Sequence, residues 1–321
     1  GTIRSFDLAA ATAIPGVIDI LTFEHLAGEI RAVPFVFAGG YLADTLRPLA
    51  SAEVAHWGQP IALVLAESEE AAREACGRIA VDFGDVATPA ADIESDSAET
   101  LPVDAMEERV GDFDAAFAEA PVRVEARYAT PPQHHNFMEL LATQCKWDGD
   151  RLTVHEPSQY VNNVKHGLAQ QLGMDPSRIR VVSPYVGGGF GGKGFLTQRT
   201  ALVAIAARRL GRPVKLVATR EQAFTLSTYR AETRHEIRLG ADRDGRLLAH
   251  RHESWELTSR ADTIVFGGSD MTTRLYACPN IHRRANAVRA DRATPGFMRA
   301  PAEMPFPFAL ESALDELAYA L

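Results

Sequence analysis

The sequence predicts an α+β protein in which a small α/β unit precedes a larger mixed α/β domain. Its 321 residues suit about two domains, and strand-like segments alternate with helix-like ones along the chain. With 46% hydrophobic and 23% charged residues, the composition is that of a globular protein. The formal net charge of −9 repels polyphosphate, so nucleic acid is not expected as a partner.

The small α/β unit is predicted over residues 1–84. Strand-like residues run from 17 to 23, and the apolar segment IALVLA (61–66) predicts a buried strand. An apolar stripe at helical spacing and an alternating strand follow it. Residues 85–120 are acidic, rich in Ala and Pro, and without a sustained period, so a linker is expected there.

The larger domain is predicted over residues 121–321. Apolar residues at helical spacing predict one helix from Val161 to Leu172, and a second from Phe195 to Leu210 that stops at Gly211. Strand patterns surround these helices, and Asp244-Gly245 predicts the turn of a hairpin. A last helix presents one apolar stripe, formed by Leu310, Leu314, Leu317 and Leu321.

The cysteines indicate neither a metal site nor a disulfide framework. Cys76, Cys145 and Cys278 lie far apart, with no C-x-x-C motif and no histidine at metal-site spacing, so no iron–sulfur cluster or structural zinc is expected. No apolar run reaches the roughly 18 residues of a membrane helix, and the first residues are not those of a signal peptide. A cytoplasmic location is expected, with the periplasm open if the chain is exported with a partner subunit.

The most informative segment is the glycine-rich loop VGGGFGGKG (186–194). Five glycines among residues 187–192 let a backbone approach a ligand and point successive N–H groups at an anion. The loop fits the start of a Walker A motif, but Gly194 follows Lys193 where Ser or Thr must hold magnesium, which disfavours nucleotide binding. An idle flexible loop is disfavoured as well, because ordering so many glycines costs conformational entropy.

Four segments occur in a characteristic order: SQYVNNVKHGLAQQLGM, SPYVGGGFGGKG, RPVKLVATREQAFTLSTYR and FMRAPAEMPFPFALESALDELA. They resemble the molybdenum-binding subunit of the xanthine dehydrogenase and aldehyde oxidase family, and look closest to its bacterial aldehyde-oxidising branch. HWGQPIALVLAESEEAAREA is similar to the family's α/β hammerhead domain. The resemblance covers nearly the whole chain. It implies an N-terminally incomplete hammerhead domain over residues 1–84 and the first molybdenum-cofactor-binding domain over 121–321, with the second cofactor-binding half missing.

The resemblance implies a molybdenum–pterin hydroxylase that oxidises an aldehyde to a carboxylic acid, with water as the source of the oxygen. The implied cofactor is molybdenum bound to molybdopterin cytosine dinucleotide. Electrons would leave through a 2Fe–2S centre and FAD on partner subunits. Two alternatives stay open: a hydroxylase of N-heterocyclic aromatics, and a non-catalytic fragment or scaffold of such an enzyme.

The sequence lacks an initial methionine and ends on the apolar face of a helix, so we expect a fragment or one part of a split polypeptide. In the family, the catalytic glutamate and much of the dinucleotide-binding surface belong to a second cofactor domain. The resemblance therefore implies that this chain is inactive alone and works with that domain, an iron–sulfur subunit and an FAD subunit.

The resemblance also assigns roles to residues of this chain. Gln159 would donate a hydrogen bond to the oxo group of the metal, and Arg299 would lie near the metal and contact the cofactor; these are the expected catalytic residues. No side chain is expected to ligate the metal. The loop backbone would bind the cofactor through Gly188, Gly189, Phe190, Gly191 and Gly192.

Each of these side chains also has a plainer interpretation. Gln159 could cap the helix that follows it, and Arg299 could pair with Glu303. Lys193 could be a solvated charge of the loop.

Two departures from the family bear on the substrate. Purine oxidisers carry a glutamate directly after the loop lysine, where this chain has Gly194. They commonly have a second substrate-binding arginine where this chain has FGGSD (266–270). Because a purine needs polar partners for its ring nitrogens and exocyclic oxygens, we expect an aldehyde rather than a purine as the substrate.

Overall fold

The computed structural model describes all 321 residues, from Gly1 to Leu321. The chain divides into two compact units, each built from two separate stretches: Gly1–Thr88 with His135–Thr228, and Pro89–His134 with Tyr229–Leu321. None of the helices combines the length and the hydropathy that crossing a membrane requires.

Fourteen strands and nine α-helices follow one another along the chain. The strands are β1 (Thr2–Asp7), β2 (Val17–Leu21), β3 (Leu63–Ala66), β4 (Ala80–Gly84), β5 (Glu99–Pro102), β6 (Glu108–Val110), β7 (Val122–Thr130), β8 (Ala142–Asp148), β9 (Arg151–His155), β10 (Ile179–Val182), β11 (Val214–Val217), β12 (Thr233–Ala241), β13 (Leu247–Ser259) and β14 (Ile281–Ala290). The helices are α1 (Ala9–Thr12), α2 (Phe23–Leu26), α3 (Glu69–Cys76), α4 (Phe113–Glu119), α5 (Val161–Leu172), α6 (Gln198–Leu210), α7 (Arg220–Ala223), α8 (Ser269–Leu275) and α9 (Pro305–Ala320).

The first unit contains a four-stranded sheet in the order β10-β9-β8-β11, in which only β9 and β10 are parallel. Two antiparallel pairs, β1 with β4 and β2 with β3, come from its N-terminal stretch. The strand predicted to be buried is β3, in which Leu63 and Leu65 are buried and the residues between and after them are half-buried.

Helix α6 packs against β8 and β11 and is buried over most of its length. Its sequence is rich in Ala and Leu, which favour helices. The predicted end is confirmed, because Gly211 adopts the left-handed conformation at φ 63°. The start is later than predicted: Asn163 Oδ1 accepts the N–H of Leu196 at 2.8 Å, and the chain enters the helix only at Gln198.

The second unit contains one mixed sheet in the order β5-β14-β13-β12-β7, with β6 pairing β14 as well. The predicted hairpin joins β12 and β13, and Gly245 in its turn has a φ of 81°. Helix α9 covers β7 and β12, with Leu310 and Leu317 buried against Ile237 and Leu239. The predicted apolar stripe of α9 therefore faces the core of this unit, apart from its exposed last residue, Leu321.

Residues 85–120, predicted to be a linker, instead carry β5, β6 and α4. Asp112 caps α4 by accepting the N–H of Ala115, and the first residue of that helix, Phe113, is buried. Both strands pair with β14, far later in the chain. The local pattern missed them because a strand is stabilised by its partners more than by its own sequence.

Candidate functional site

The glycine-rich loop connects β10 to α6 through a series of unusual backbone conformations. Gly187, Gly188, Phe190 and Gly191 all have positive φ, from 51° at Phe190 to 105° at Gly191. Left-handed backbone is strained for a residue with a side chain, so Phe190 must be held there by its surroundings. Its ring is 47% exposed, which gives the loop an apolar surface.

Gln159 binds this loop directly. Its side-chain Oε1 accepts hydrogen bonds from the backbone N–H groups of Gly191 at 3.0 Å and Lys193 at 3.3 Å. The backbone N–H of Gln159 donates to the Lys193 carbonyl at 2.8 Å. The amide nitrogen Nε2 makes no hydrogen bond within the chain and is left as a donor. Gln159 does not cap α5, whose N-cap residue is Tyr160 and which has no side-chain cap.

Several glycines of the loop are required by neighbouring side chains of the same unit. A Cβ at Gly189 would lie 2.5 Å from Gln159 Cδ, and one at Gly192 would lie 2.6 Å from Nδ1 of His135. Sequence reasoning attributed these glycines to the close approach of a ligand. The structure shows that the chain's own packing already demands them.

The loop nevertheless presents free donors. The N–H groups of Gly188, Gly189 and Phe190 make no hydrogen bond within the chain, whereas Gly192 N–H donates to the Gly189 carbonyl at 2.8 Å. Successive free N–H groups on backbone that alternates between positive and ordinary φ form a concave surface that binds anions and electron-rich atoms. Together with Gln159 Nε2, four donors belong to this loop region.

Lys193 is buried, with 3% of its surface exposed. Its Nζ donates to the carbonyls of Val186 at 2.5 Å and Glu139 at 2.8 Å, and lies 4.5 Å from the centroid of the Phe137 ring. Burial lowers the pKa of Lys193 to about 8, although the charge of Glu139 opposes this shift. The lysine is therefore neither a solvated charge nor a free phosphate ligand. Its ammonium group stabilises the loop by binding the carbonyls of Val186 and Glu139.

Arg299 belongs to the second unit and is exposed there. It lies in a turn in which Ala300 has a φ of 56°, and its carbonyl accepts a hydrogen bond from Arg230. The plainer interpretation paired Arg299 with Glu303, but the charge of Glu303 acts on Arg230. Burial lowers the pKa of the Arg230 guanidinium, and Glu303 partly offsets that shift.

The segment 266–270, where the sequence offers no arginine, is held by a buried carboxylate. Glu256 accepts the N–H groups of Phe266 at 3.0 Å and Gly267 at 2.8 Å. Burial raises the pKa of Glu256 to about 7, and these two backbone hydrogen bonds oppose the rise.

The burial of three charged residues near the candidate site residues was missed or misjudged from the sequence: Lys193, Arg230 and Glu256. Each is a charged residue that the fold buries against backbone groups of a loop. A single charged residue between ordinary neighbours carries no sign of such burial, so the sequence offered no signal for these roles.

Comparison with known proteins gives two family matches. A model described as the molybdopterin cofactor-binding domain matches residues 97–321. A model described as the aldehyde oxidase and xanthine dehydrogenase a/b hammerhead domain matches residues 1–86.

Individual relatives extend over nearly the whole chain. The aldehyde oxidoreductase molybdenum-binding subunit PaoC of Escherichia coli (strain K12) is 36% identical over 322 residues, covering 99% of this chain and 42% of PaoC. The probable hypoxanthine oxidase XdhD of the same strain is 28% identical over 370 residues, covering 98% of this chain and 38% of XdhD. The crystal structure of quinoline 2-oxidoreductase from Pseudomonas putida 86 shares the fold, with a TM-score of 0.85 and 22% identity over 99% of this chain and 43% of that one. The chain thus spans less than half the length of these relatives.

Proposed function

The chain belongs to the molybdopterin cofactor-binding family of the aldehyde oxidases and xanthine dehydrogenases, and from this membership we propose that it forms part of a molybdenum hydroxylase. The proposed reaction oxidises an aldehyde to a carboxylic acid, with water as the source of the added oxygen. The observation that carries the proposal is the geometry of Gln159. Two loop N–H groups fix its Oε1, so Nε2 is held as a donor beside the glycine-rich loop.

The donors of this loop suit a molybdenum–pterin cofactor. No group of three or more His, Cys, Asp or Glu side chains in the chain could hold a bare metal ion. A metal that arrives with its own dithiolene needs hydrogen-bond donors from the protein, and the free N–H groups of Gly188, Gly189 and Phe190 supply them. When bound, the cofactor supplies the two-electron oxidation. The chain binds and orients it, and the exposed ring of Phe190 helps to exclude water.

Two residues have proposed catalytic roles. Gln159 directs its amide Nε2 toward the cofactor, where a fixed donor stabilises the negative charge that develops during the reaction. Arg299 supplies a permanent positive charge toward the cofactor from the turn that carries it. The backbone at Gly188, Gly189, Phe190, Gly191 and Gly192 is the proposed cofactor-binding surface.

The proposed substrate is an aldehyde rather than a purine. Identity to the aldehyde oxidoreductase subunit PaoC is 36%, against 28% to the probable hypoxanthine oxidase XdhD. Gly194 stands where purine oxidisers carry a glutamate after the loop lysine. The segment 266–270, where they commonly have a second substrate-binding arginine, contains no arginine.

We propose further that the cofactor is the cytosine dinucleotide form, and that a 2Fe–2S subunit and an FAD subunit receive the electrons. All three cysteines of this chain are free, which suits a reducing compartment. The proposed location is the cytoplasm, with the periplasm open if a partner subunit directs export. Purification of the assembled enzyme with its partners, followed by metal, pterin and flavin analysis, tests the cofactor and the partners together.

Replacing Gln159 by Glu tests the central role. The carboxylate of Gln159→Glu keeps an oxygen that can accept the N–H groups of Gly191 and Lys193, but it has no donor. We expect aldehyde oxidation by the assembled enzyme to fall by about 10²-fold, the usual loss for one preorganised donor. Molybdenum and pterin content and the urea midpoint of unfolding should stay near those of the parent enzyme.

Gln159→Ala is the matched comparison, since it removes both the acceptor and the donor and should lower stability as well as rate. A parent enzyme without molybdenum would contradict the proposed function and favour a scaffold. Full activity in Gln159→Glu would contradict the proposed role of Nε2 but would leave the proposed function standing.

A further inference from the structure

The turn that carries Arg299 is held by one buried side chain, Arg230, which is 5% exposed. Nη2 of Arg230 donates to the carbonyls of Met298 at 3.1 Å and Arg299 at 2.5 Å. Nη1 donates to the carbonyls of Ala300 at 2.7 Å and Pro301 at 2.9 Å. Four consecutive carbonyls of the turn therefore face one guanidinium.

This arrangement fixes where the amide groups of the turn point. The chain contains no cis peptide bond, and in a trans peptide the N–H points opposite to the preceding carbonyl. The N–H groups of Arg299, Ala300 and Ala302 therefore point away from Arg230. None of the three donates a hydrogen bond within the chain.

Arg230 is a buried cation whose side-chain donors all bind carbonyl or amide oxygens. Its remaining donor, Nε, bonds Gln133 Oε1 at 2.9 Å, and its backbone pairs with that of Gln133. Removing a guanidinium from water is costly unless its donors are paired. Here four of the five donors are paired with carbonyls of the turn rather than with a carboxylate. The guanidinium therefore stays paired only while the turn keeps this conformation.

The conformation of the turn needs such a constraint. Ala300 has a φ of 56°, a left-handed conformation that alanine adopts only when the surrounding structure imposes it. A lysine could not replace Arg230 fully, because an ammonium group has three donors on a flexible stem, whereas the guanidinium has five in a rigid fork.

We propose that Arg230 is a positioning residue that holds the turn 298–301 so that the Arg299 side chain and the outward N–H groups form one donor surface. The ligand of this surface is an anionic, oxygen-rich group of the cofactor. The identity of the ligand rests on the proposed function above, whereas the hold of Arg230 on the turn does not.

Limited trypsin digestion of the chain without cofactor tests the hold. Trypsin cleaves after Arg299, an exposed residue, only if the turn opens into an extended conformation. In Arg230→Gln we expect cleavage between Arg299 and Ala300 to become at least about tenfold faster, because four carbonyls lose their donor. Arg230→Lys should be intermediate. Mass spectrometry of the fragments measures each site separately.

Arg283→Gln is the matched control, since Arg283 is a partly buried arginine of the same unit that bonds the carboxylate of Glu108 and no carbonyl of the turn. It should leave cleavage after Arg299 unchanged. An unchanged rate in Arg230→Gln would overturn the positioning role. Faster cleavage at every site alike would overturn it too, because that result reports a general loss of stability.

The assembled enzyme gives the second readout. There, Arg230→Lys should lower kcat by at least about tenfold with a smaller change in KM, as expected when a group is misplaced rather than when substrate binding is lost. If cleavage after Arg299 rises as expected but Arg299→Ala keeps parental kcat and molybdenum content, the proposed role of Arg299 fails while the hold of Arg230 stands.

Discussion

At position 189 the side chain of Gln159, and not the bend of the loop, requires glycine. The φ of Gly189 is not in the left-handed region, so its backbone could accept another residue. A Cβ would lie 2.5 Å from Gln159 Cδ and would displace that side chain. The N–H groups of Gly191 and Lys193 would then lose their shared acceptor. The glycine and the glutamine therefore act as one unit.

Replacing Gly189 by Ala should lower the free energy of unfolding by about 1–3 kcal/mol, because two N–H groups lose their partner. Gly194→Ala is the matched control: its φ is also outside the left-handed region, and a Cβ there would lie 3.0 Å from the Gly191 carbonyl oxygen. We expect that control to lose less than about 1 kcal/mol. Urea unfolding measures both.

A double-mutant cycle shows whether the two residues are coupled. Once Gln159 is already Ala, the added methyl group at Gly189 has nothing to displace, so the double variant should be hardly less stable than Gln159→Ala. Additive losses would show that Gly189 acts independently of Gln159.

At the level of elements, the sequence predicted those whose signals are local. The last residues of α5 and α6 follow from apolar periodicity and, for α6, from Gly211, which has the left-handed conformation. The hairpin β12–β13 follows from its turn residues. The strands β5 and β6 could not be predicted, because their partner β14 lies far along the chain. The link between Arg230 and the Arg299 turn escaped prediction for the same reason, since it depends on tertiary contact alone.

A cluster of buried histidines joins β12, β13 and α8 in the second unit. His235 Nδ1 and His252 Nε2 are 3.0 Å apart, and His252 Nδ1 is 2.9 Å from Thr272 Oγ1. Burial lowers the pKa of His235 to about 4 and that of His250 to about 4. It lowers the pKa of His252 as well, and the charges of the other two rings add to that effect.

These histidines should make the second unit acid-sensitive. A ring whose folded pKa is depressed takes up a proton on unfolding between its folded and unfolded pKa, so stability is lost as the pH falls from about 6.5 to about 4. A ring shifted this far contributes up to about 3 kcal/mol. The pKa of Glu256 is raised to about 7, so its contribution to stability grows as the pH falls. The loss from three histidine rings is larger than this gain from one carboxyl group. The urea midpoint should therefore fall steadily over this pH range.

His250→Gln tests the origin of this slope, because His250 Nε2 has no hydrogen-bond partner and its loss leaves the contact between His235 and His252 intact. The variant should take up about one proton fewer on unfolding and show a shallower pH dependence. His155→Gln, which replaces an exposed ring, is the control and should keep the parental slope. Equal slopes in all three proteins would contradict the assignment to the buried cluster.

At the level of the whole molecule, each of the two units contains a buried cation that binds backbone carbonyls next to free N–H groups. In the first unit, the buried ammonium of Lys193 binds the carbonyls of Glu139 and Val186 behind the glycine-rich loop. In the second, Arg230 binds four carbonyls behind the turn of Arg299. Each cation binds backbone carbonyls, and neighbouring N–H groups of the same loop make no hydrogen bond within the chain. A protein with a net charge of −9 thus presents backbone and side-chain donors on both loops.

The proposed substrate class rests on what these loops lack. Gly194 has no side chain where purine oxidisers carry a glutamate, and the segment 266–270 contains no arginine. A site built to hydrogen-bond its substrate discriminates by about 10⁴ or more when polar groups go unmatched. We therefore expect the assembled enzyme to prefer benzaldehyde over hypoxanthine by at least about 10³ in kcat/KM, a ratio below that value because loops outside these segments can also supply polar partners.

Initial rates with both substrates and one electron acceptor measure this ratio, and Gly194→Glu is the variant that tests its cause. Gly194 does not have a positive φ, and a Cβ there would lie 3.0 Å from the Gly191 carbonyl oxygen and 4.0 Å from the Gly191 carbonyl carbon, so a side chain requires the neighbouring backbone to shift by a few tenths of an ångström. The added carboxylate should lower the benzaldehyde to hypoxanthine ratio, because a purine gains a polar partner and an aldehyde gains none. A parent enzyme that prefers hypoxanthine would overturn the aldehyde assignment, while leaving the proposed binding of a molybdenum–pterin cofactor by this loop intact.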